Sequence, residues 1–167
     1  MIRISHNSKL QKILPMIFCL LLLSLSGYSQ ESAIYSPDFS LSVADIEAKA
    51  LKDKEEVWVL DFWASWCGPC IQTVPHLKEL HEKYAVQNVR FISLSWDKHE
   101  DRWMKALNRL QMPWQHIRVE KGQDAFFNRY FRHSSIPTAF VIRKSGKVKR
   151  VSNIDGLESA IKKAIDR

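Results

Sequence analysis

The fold of this chain is decided by one stretch, Val57-Trp58-Val59-Leu60-Asp61-Phe62-Trp63-Ala64-Ser65-Trp66-Cys67-Gly68-Pro69-Cys70. Its first half, 57–63, is almost entirely apolar and rich in β-forming residues, which predicts a strand buried on both faces. Two cysteines follow this strand, at the point where the apolar residues change to helical spacing. Because only two residues separate them, their sulfur atoms can come within bonding distance. The stretch therefore predicts a redox-active dithiol at a strand-to-helix junction.

The helix after this strand is predicted to cover about 69–84, with a kink at Pro75. Cys67 then lies at the helix N-terminus, where unpaired backbone N–H groups and the helix dipole favour the nucleophilic thiolate. Pro69 suits the first turn because its missing N–H would have no partner there. A zinc site would need two further ligands, and an inert bridge would close too small a loop to constrain the chain. Redox activity is therefore the preferred interpretation.

Strands and helices alternate along the rest of the chain. The other predicted helices are a segment from about 100, the short segment 124–131, and two segments that begin at Ser42 and at a capping box of Asp155 with Glu158. The other predicted strands are 89–96, 115–119 and a hairpin of 138–143 with 147–151. This order indicates one α/β domain in which helices cover a mostly parallel central sheet.

Length and composition agree with a single globular domain. The 167 residues are 46% hydrophobic and 26% charged, with 5 glycines and 6 prolines, which excludes collagen-like and disordered chains. Three cysteines are too few for a disulfide-stapled mini-protein. The net charge is +7. The first 29 residues hold three basic and no acidic residues, and most of the remaining net charge of +4 is interleaved with acidic residues. Its one local excess is predicted to be a solvated hairpin rather than a nucleic-acid or acidic-lipid surface, and consists of Arg143, Lys144, Lys147, Lys149 and Arg150.

The first 29 residues have the layout of a secretory signal peptide. A basic segment, 1–12, precedes an apolar run, 13–25, and small or polar residues follow. The sequence therefore predicts an exported, periplasmic protein whose folded domain covers 30–167, with an uncleaved membrane anchor as the alternative. Cleavage would remove Cys19 and leave only the C-x-x-C pair in an oxidising compartment.

The quoted stretch resembles the active-site strand and loop of the thioredoxin family, and Ser135-Ile136-Pro137-Thr138 resembles that family's cis-proline loop. The resemblance extends over about 57–151. It implies a thioredoxin-like fold, in which helices flank a central mixed β-sheet. An extra helix and strand are predicted at about 97–123. This insert, together with the export signal, is similar to the extracytoplasmic TlpA-like and ResA-like thiol-disulfide oxidoreductases.

The resemblance implies a role for each residue of the redox site. Cys67 is expected to be the nucleophile, Cys70 the resolving cysteine, and Asp61 the acceptor of the Cys70 proton. A carboxyl at the end of an apolar strand should have a pKa raised by desolvation, which suits that duty. The alternative for Asp61 is a solvated acid at the strand end.

Substrate contacts are implied in the same way. Pro137 is expected to be cis and to face the cysteines, and the backbone of Ile136 is expected to pair with an extended substrate. Trp66 is expected to give an apolar contact beside the nucleophile, and Gly68 and Pro69 complete the active-site loop. The remaining tryptophans are expected to pack in the core: Trp58, Trp63, Trp96, Trp103 and Trp114.

Gly68-Pro69 between the cysteines resembles the strongly reducing thioredoxins, so the predicted activity is reduction of disulfides in extracytoplasmic proteins. Two departures limit the assignment of a client. Thr73 stands where cytochrome-maturation members often carry glutamate, and Ser93 stands where cytosolic thioredoxins have a lysine partner for the aspartate. Apocytochrome c is therefore one candidate client rather than the default.

The family resemblance also implies partners, and it leaves two alternative functions open. It implies a membrane electron donor of the DsbD or CcdA kind, a monomer, no nucleic-acid partner, and no organic or metal cofactor. A disulfide oxidase or isomerase of the periplasm is the main alternative function. A redox-silent module that binds peptides through Trp66 and the Pro137 loop is a further one.

Overall fold

The computed structural model describes residues 35–51, 56–132 and 135–166. Residues 35–167 form one unit, and the predicted signal peptide lies outside the described residues. Among the helices that are described, none has both the length and the apolar character needed to cross a membrane.

Five strands form one sheet in the order β3-β2-β1-β4-β5. Their bounds are β1 Val57–Trp63, β2 Val89–Ser95, β3 Gln115–Arg118, β4 Thr138–Ile142 and β5 Val148–Val151. β1 and β2 pair in parallel, as do β2 and β3, whereas β1–β4 and β4–β5 are antiparallel. The predicted strands and the mixed sheet are confirmed: four of the five strands run in the same direction, and β4 runs against them. β4 enters beside β1 from the opposite direction, and a tight turn at Gly146 (φ 75°) reverses the chain into β5.

The helices also follow the predicted order. Their bounds are α1 Val43–Asp45, which continues as a π-helical turn over Ile46–Ala50, α2 Gly68–Tyr84, α3 Glu100–Leu110, α4 Asp124–Tyr130 and α5 Leu157–Ile165. Ser42 caps α1, as predicted, in a capping box with Asp45. α2 continues through Pro75.

The predicted capping box of Asp155 with Glu158 is wrong. The side chain of Asn153 instead accepts the backbone N–H of Asp155 and starts a 3-10 turn that leads into α5. Glu158 is occupied elsewhere, because it accepts hydrogen bonds from Lys83 Nζ at 2.7 Å and the Tyr84 hydroxyl at 2.9 Å. A contact with α2 therefore replaced the local cap.

The sheet separates two hydrophobic clusters, and alternation along β1 decides which residue enters which cluster. Val57, Val59 and Trp63 belong to the cluster that contains both cysteines of the C-x-x-C pair and the buried face of α2. Trp58, Leu60 and Phe62 belong to the other cluster, which includes Phe127 and Phe131. Successive side chains of a strand point to opposite faces. Asp61, an odd-numbered position, therefore faces the cysteine side.

The predicted insert is present as α3 and β3, and β3 forms one edge of the sheet. Four of the tryptophans expected in the core are buried and Trp96 is half-buried; the buried ones are Trp58, Trp63, Trp103 and Trp114. The basic segment of β5 is solvent-exposed, as expected for a solvated hairpin.

Candidate active site

Cys67 and Cys70 are joined by a disulfide bond with an S–S distance of 2.03 Å at the start of α2. Cys67 is the N-cap residue of this helix, and its Sγ accepts the backbone N–H of Cys70 at 3.2 Å. Pro69 lies in the first turn, as predicted. A hydrogen bond to sulfur and a helix N-terminus both favour the thiolate when the pair is reduced. The geometry can therefore activate Cys67 as a nucleophile.

The loop around the disulfide presents one large apolar side chain to solvent. Trp66, directly before Cys67, is 67% exposed, although both cysteines are buried. Apart from the chain neighbours of Gly68 and the nearby backbone of its own helix, no described atom lies within 4 Å of the position that a Cβ would take there. Trp66 and the open side of Gly68 thus leave an apolar, accessible approach to the active-site loop.

The Ile136–Pro137 peptide bond is cis. Ile136 is partly buried against the cluster that contains the two cysteines. Pro137 and Pro69 line the same groove, of about 570 Å³, which continues past Thr73 to Asn153. The two sequence motifs, far apart in the chain, therefore meet at one surface.

Asp61 is 6% exposed, so it is not a solvated acid. Burial raises the pKa of its carboxyl to about 7, and a hydrogen bond from the Ser93 hydroxyl opposes this rise. Ser93 is the partner of Asp61 in the β1–β2 register, and its Oγ lies 3.0 Å from Asp61 Oδ2. A serine hydroxyl thus occupies the position where the resemblance expects a lysine. A carboxyl with this pKa can take up and release a proton near neutrality.

One small pocket adjoins both Asp61 and α2. This pocket, of about 20 Å³, is lined by Asp61 and Thr73 and has room for about one water molecule. The Thr73 hydroxyl donates to the carbonyl oxygen of Cys70 at 2.7 Å. Thr73 therefore connects the carboxyl pocket to the first turn of α2.

Sequence analysis missed Asp97, which holds the active-site loop. Asp97 is 3% exposed, and its carboxylate accepts the backbone N–H of Ser65 at 2.8 Å and the Ser65 hydroxyl at 2.6 Å. It also accepts the Ser95 hydroxyl at 2.7 Å. A signal was present, because β1 and β2 are adjacent parallel strands whose carboxyl ends meet at one edge. An acid two residues after β2 therefore lies beside the loop that follows β1.

Replacing Asp97 by alanine is expected to lower the free energy of unfolding by about 3 kcal/mol, because three donors lose a charged acceptor. Urea unfolding of the oxidised protein measures this. Asp97→Asn keeps the size and one acceptor oxygen, so its loss should be smaller. A loss below about 1 kcal/mol in Asp97→Ala would show that water replaces the carboxylate.

A metal centre has no support in the described part of the chain, where no group of three histidine, cysteine, aspartate or glutamate side chains could hold an ion.

A family model described as thioredoxin-like matches residues 55–148. The chain belongs to the thioredoxin-like family. Its thioredoxin-like fold places the cis-proline loop beside both Pro69 of the C-x-x-C motif and the buried Asp61. The family resemblance drawn from the two motifs is confirmed, as is the fold class.

Relatives of this thioredoxin-like chain are named for thiol chemistry. It is 34% identical over 111 residues to the thiol-disulfide oxidoreductase ResA of Bacillus thuringiensis (strain Al Hakam), covering 64% of this chain and 61% of that protein. It is 29% identical over 151 residues to ResA of Geobacillus thermodenitrificans (strain NG80-2), covering 83% and 85% of the two chains. The first match thus spans less than two thirds of its relative.

Among solved structures, one similar protein is assigned as thiol:disulfide interchange protein DsbE from Chlorobium tepidum. It has a TM-score of 0.59 and 30% identity, covering 67% of this chain and 82% of that one.

Proposed function

We propose that this protein is a thiol-disulfide oxidoreductase that reduces disulfide bonds of extracytoplasmic proteins through a Cys67–Cys70 dithiol/disulfide cycle. The observation that carries the proposal is the Cys67–Cys70 disulfide at the N-terminus of α2, beside a cis-proline loop that also borders the buried carboxyl of Asp61. The names of the relatives, thiol-disulfide oxidoreductase and thiol:disulfide interchange protein, support the same reaction class.

The reaction begins with the reduced pair. The Cys67 thiolate attacks one sulfur of the client disulfide, and the client S–S bond breaks as the Cys67–client bond forms. The released client thiolate takes a proton from solvent. Cys67 is favoured as the attacking group because the helix N-terminus and the Cys70 N–H stabilise its thiolate.

The second step releases the client and uses Asp61. The Cys70 thiol gives its proton to the Asp61 carboxylate, and the resulting Cys70 thiolate attacks Cys67 Sγ. The second client sulfur leaves as a thiolate and is protonated by solvent, to which Asp61 later returns its proton. The client has gained two electrons, and Cys67–Cys70 ends as the disulfide. A carboxyl whose pKa is about 7 suits this transfer at neutral pH.

The client is proposed to bind as an extended chain beside the disulfide. The backbone of Ile136, before the cis-Pro137, would pair with it, and the exposed Trp66 ring would give it an apolar contact. The groove lined by Pro69 and Pro137 continues this surface along α2. A disulfide-bonded protein would therefore present a flexible loop rather than a folded face.

The Gly68-Pro69 dipeptide favours reduction over oxidation. Reference potentials of thioredoxin and DsbA differ by about 150 mV, or about 7 kcal/mol for a two-electron couple. A reductant outside the cytoplasm must receive electrons across the membrane. We therefore propose a membrane donor of the DsbD or CcdA kind, with apocytochrome c among the candidate clients. The predicted signal peptide, 1–29, supports an extracytoplasmic location.

The reduction potential of the Cys67–Cys70 pair tests the direction. Equilibration of the oxidised protein with dithiothreitol or glutathione buffers is expected to give a value near that of thioredoxin, about −270 mV. A value near that of DsbA, about −120 mV, would instead make the protein a disulfide donor. Thiol alkylation followed by mass spectrometry measures the reduced fraction at each buffer ratio.

A further inference from the structure

A chain of hydrogen bonds leads from the insert to Asp61. The indole Nε1 of Trp114 lies 2.8 Å from Ser93 Oγ, and Ser93 Oγ lies 3.0 Å from Asp61 Oδ2. Ser93 is fully buried, and Trp114 and Asp61 are 4% and 6% exposed. Water therefore has little access to the hydrogen bond between Trp114 and Ser93. Trp114, which the sequence assigned to packing alone, also makes a polar contact.

Chemistry determines the direction of both bonds when Asp61 is ionised. An indole N–H can only donate, so the Ser93 oxygen accepts from Trp114. A carboxylate can only accept, so the Ser93 hydroxyl donates to Asp61. The first bond polarises the second, because hydrogen bonds in a chain strengthen one another. It also uses one of the two lone pairs of the Ser93 oxygen, so a reversed bond from a protonated Asp61 would have to use the other one.

We propose that Trp114 is a positioning residue for Asp61: its indole N–H orients the Ser93 hydroxyl so that this hydroxyl donates to the Asp61 carboxylate. The inference rests on the proposed function, in which Asp61 accepts the Cys70 proton. It gives the insert a part in the redox chemistry, since Trp114 directly precedes β3. The bond pair stabilises the ionised carboxylate that the resolving step requires.

The two hydrogen bonds through Ser93 are the main polar interaction that acts on the Asp61 carboxyl. The other residues around its small pocket are all uncharged, and those with a hydroxyl group are Thr73 from α2, Thr138 from β4 and Ser152 after β5. Among the described residues, burial and the Ser93 bond alone account for the shifted pKa of Asp61. Cys67 and Cys70 do not titrate while they form the disulfide.

Two histidines contact the Trp114 ring, and their titration must be distinguished from that of Asp61. The ring centroid of His81, on α2, lies 5.4 Å from that of Trp114, and His116, on β3, lies at 6.4 Å. Burial lowers the pKa of His81, and it lowers the pKa of His116 to about 4. A signal from the Asp61 carboxyl itself distinguishes its titration from theirs.

The test is a pH titration of the Asp61 carboxyl by NMR in the oxidised protein with ¹³C-labelled aspartate. The Asp61→Asn spectrum assigns the signal. The variants are Trp114→Phe, which removes the N–H and keeps an aromatic ring, Ser93→Ala, and the double variant. Trp103→Phe is the matched control. Trp103 is also buried and also in the insert, but its Nε1 has no hydrogen-bond partner among the described residues.

The expected change in the pKa of Asp61 differs between the variants. Ser93→Ala should raise the pKa of Asp61 by about one unit, because a hydrogen bond to the charged form is lost. Trp114→Phe should raise it by about 0.3 units, or twofold in proton affinity, through the weakened Ser93 bond. In the Ser93→Ala background, Trp114→Phe should have no further effect. Trp103→Phe should leave the pKa unchanged.

Equal shifts in Trp114→Phe and Trp103→Phe would overturn the proposal, as would a Trp114→Phe effect that persists without Ser93. An unchanged pKa in Trp114→Phe would do the same. Insulin reduction by the parent protein is measured separately. A parent that reduces no disulfide contradicts the proposed function, whereas the titration still decides whether Trp114 acts on Asp61. If reduction occurs, its pH midpoint should move upward in Trp114→Phe and not in Trp103→Phe.

Discussion

Cys67→Ser is expected to abolish the catalysed reduction of insulin by dithiothreitol, leaving only the uncatalysed rate. The serine hydroxyl is not ionised near neutral pH and cannot form the mixed disulfide. Among the described residues, the one other cysteine is Cys70, which is 2% exposed and lies one turn deeper in α2. The turbidity of precipitating insulin chains measures the rate.

Cys70→Ser provides the matched variant at the other end of the same disulfide. It should keep the attacking thiolate and lose the resolving step, so a covalent adduct with client proteins should accumulate. Non-reducing gel electrophoresis detects this adduct, and dithiothreitol should release it. If Cys67→Ser retains reductase activity, or if adducts form through Cys70 in that variant, the assigned roles of the two cysteines are reversed or wrong. A parent protein that binds peptides without reducing insulin would be a redox-silent module.

Asp61→Asn is expected to increase stability at alkaline pH and to slow thiol exchange. The pKa of Asp61 is about 7 in the folded protein against 3.8 for an ordinary aspartate. Below pH 4 the carboxyl becomes protonated in both the folded and the unfolded protein. Its protonation then does not change the free energy of unfolding. Between pH 4 and 7 the unfolded chain ionises while the folded protein stays protonated. The parent protein therefore loses about 4 kcal/mol of unfolding free energy as pH rises through this window.

The neutral asparagine carries no such cost. Urea unfolding of the oxidised proteins at pH 4 and pH 8 should show a difference between Asp61→Asn and the parent that grows with pH, up to about 4 kcal/mol. Asp155→Asn, which removes a carboxylate from an exposed residue, controls for the change of net charge. A difference that does not change with pH would mean that Asp61 remains ionised in the folded protein. Normal exchange rates in Asp61→Asn would exclude its role as proton acceptor.

Much of the redox site was predictable because its signals are local. The buried strand β1, the helix behind it and the C-x-x-C pair lie within one short stretch, where hydrophobic spacing and helix-terminus chemistry act over a few residues. Burial of Asp61 followed from its place in an apolar strand. The cis-proline loop was found by resemblance to a family, since no spacing rule connects Pro137 with Cys67.

The errors arose where contacts between distant segments outweighed local pattern. Asp155 and Glu158 have the spacing of a capping box, but Glu158 binds Lys83 and Tyr84 at the end of α2 instead. The direction of β4 beside β1, which the sequence left open, likewise depends on how the chain returns to the sheet. A strand's own sequence does not encode the direction of its neighbour.

The amino-acid sequence by itself determined the order of elements, the redox pair and the position of the buried acid, because each depends on residues close together in the chain. Only the tertiary structure decided what surrounds them. Strand pairing places Ser93 opposite Asp61, the insert brings Trp114 onto Ser93, and Asp97 reaches back to Ser65. These are hydrogen bonds between segments more than twenty residues apart. Their partners become definite only when the sheet has formed and water has been excluded.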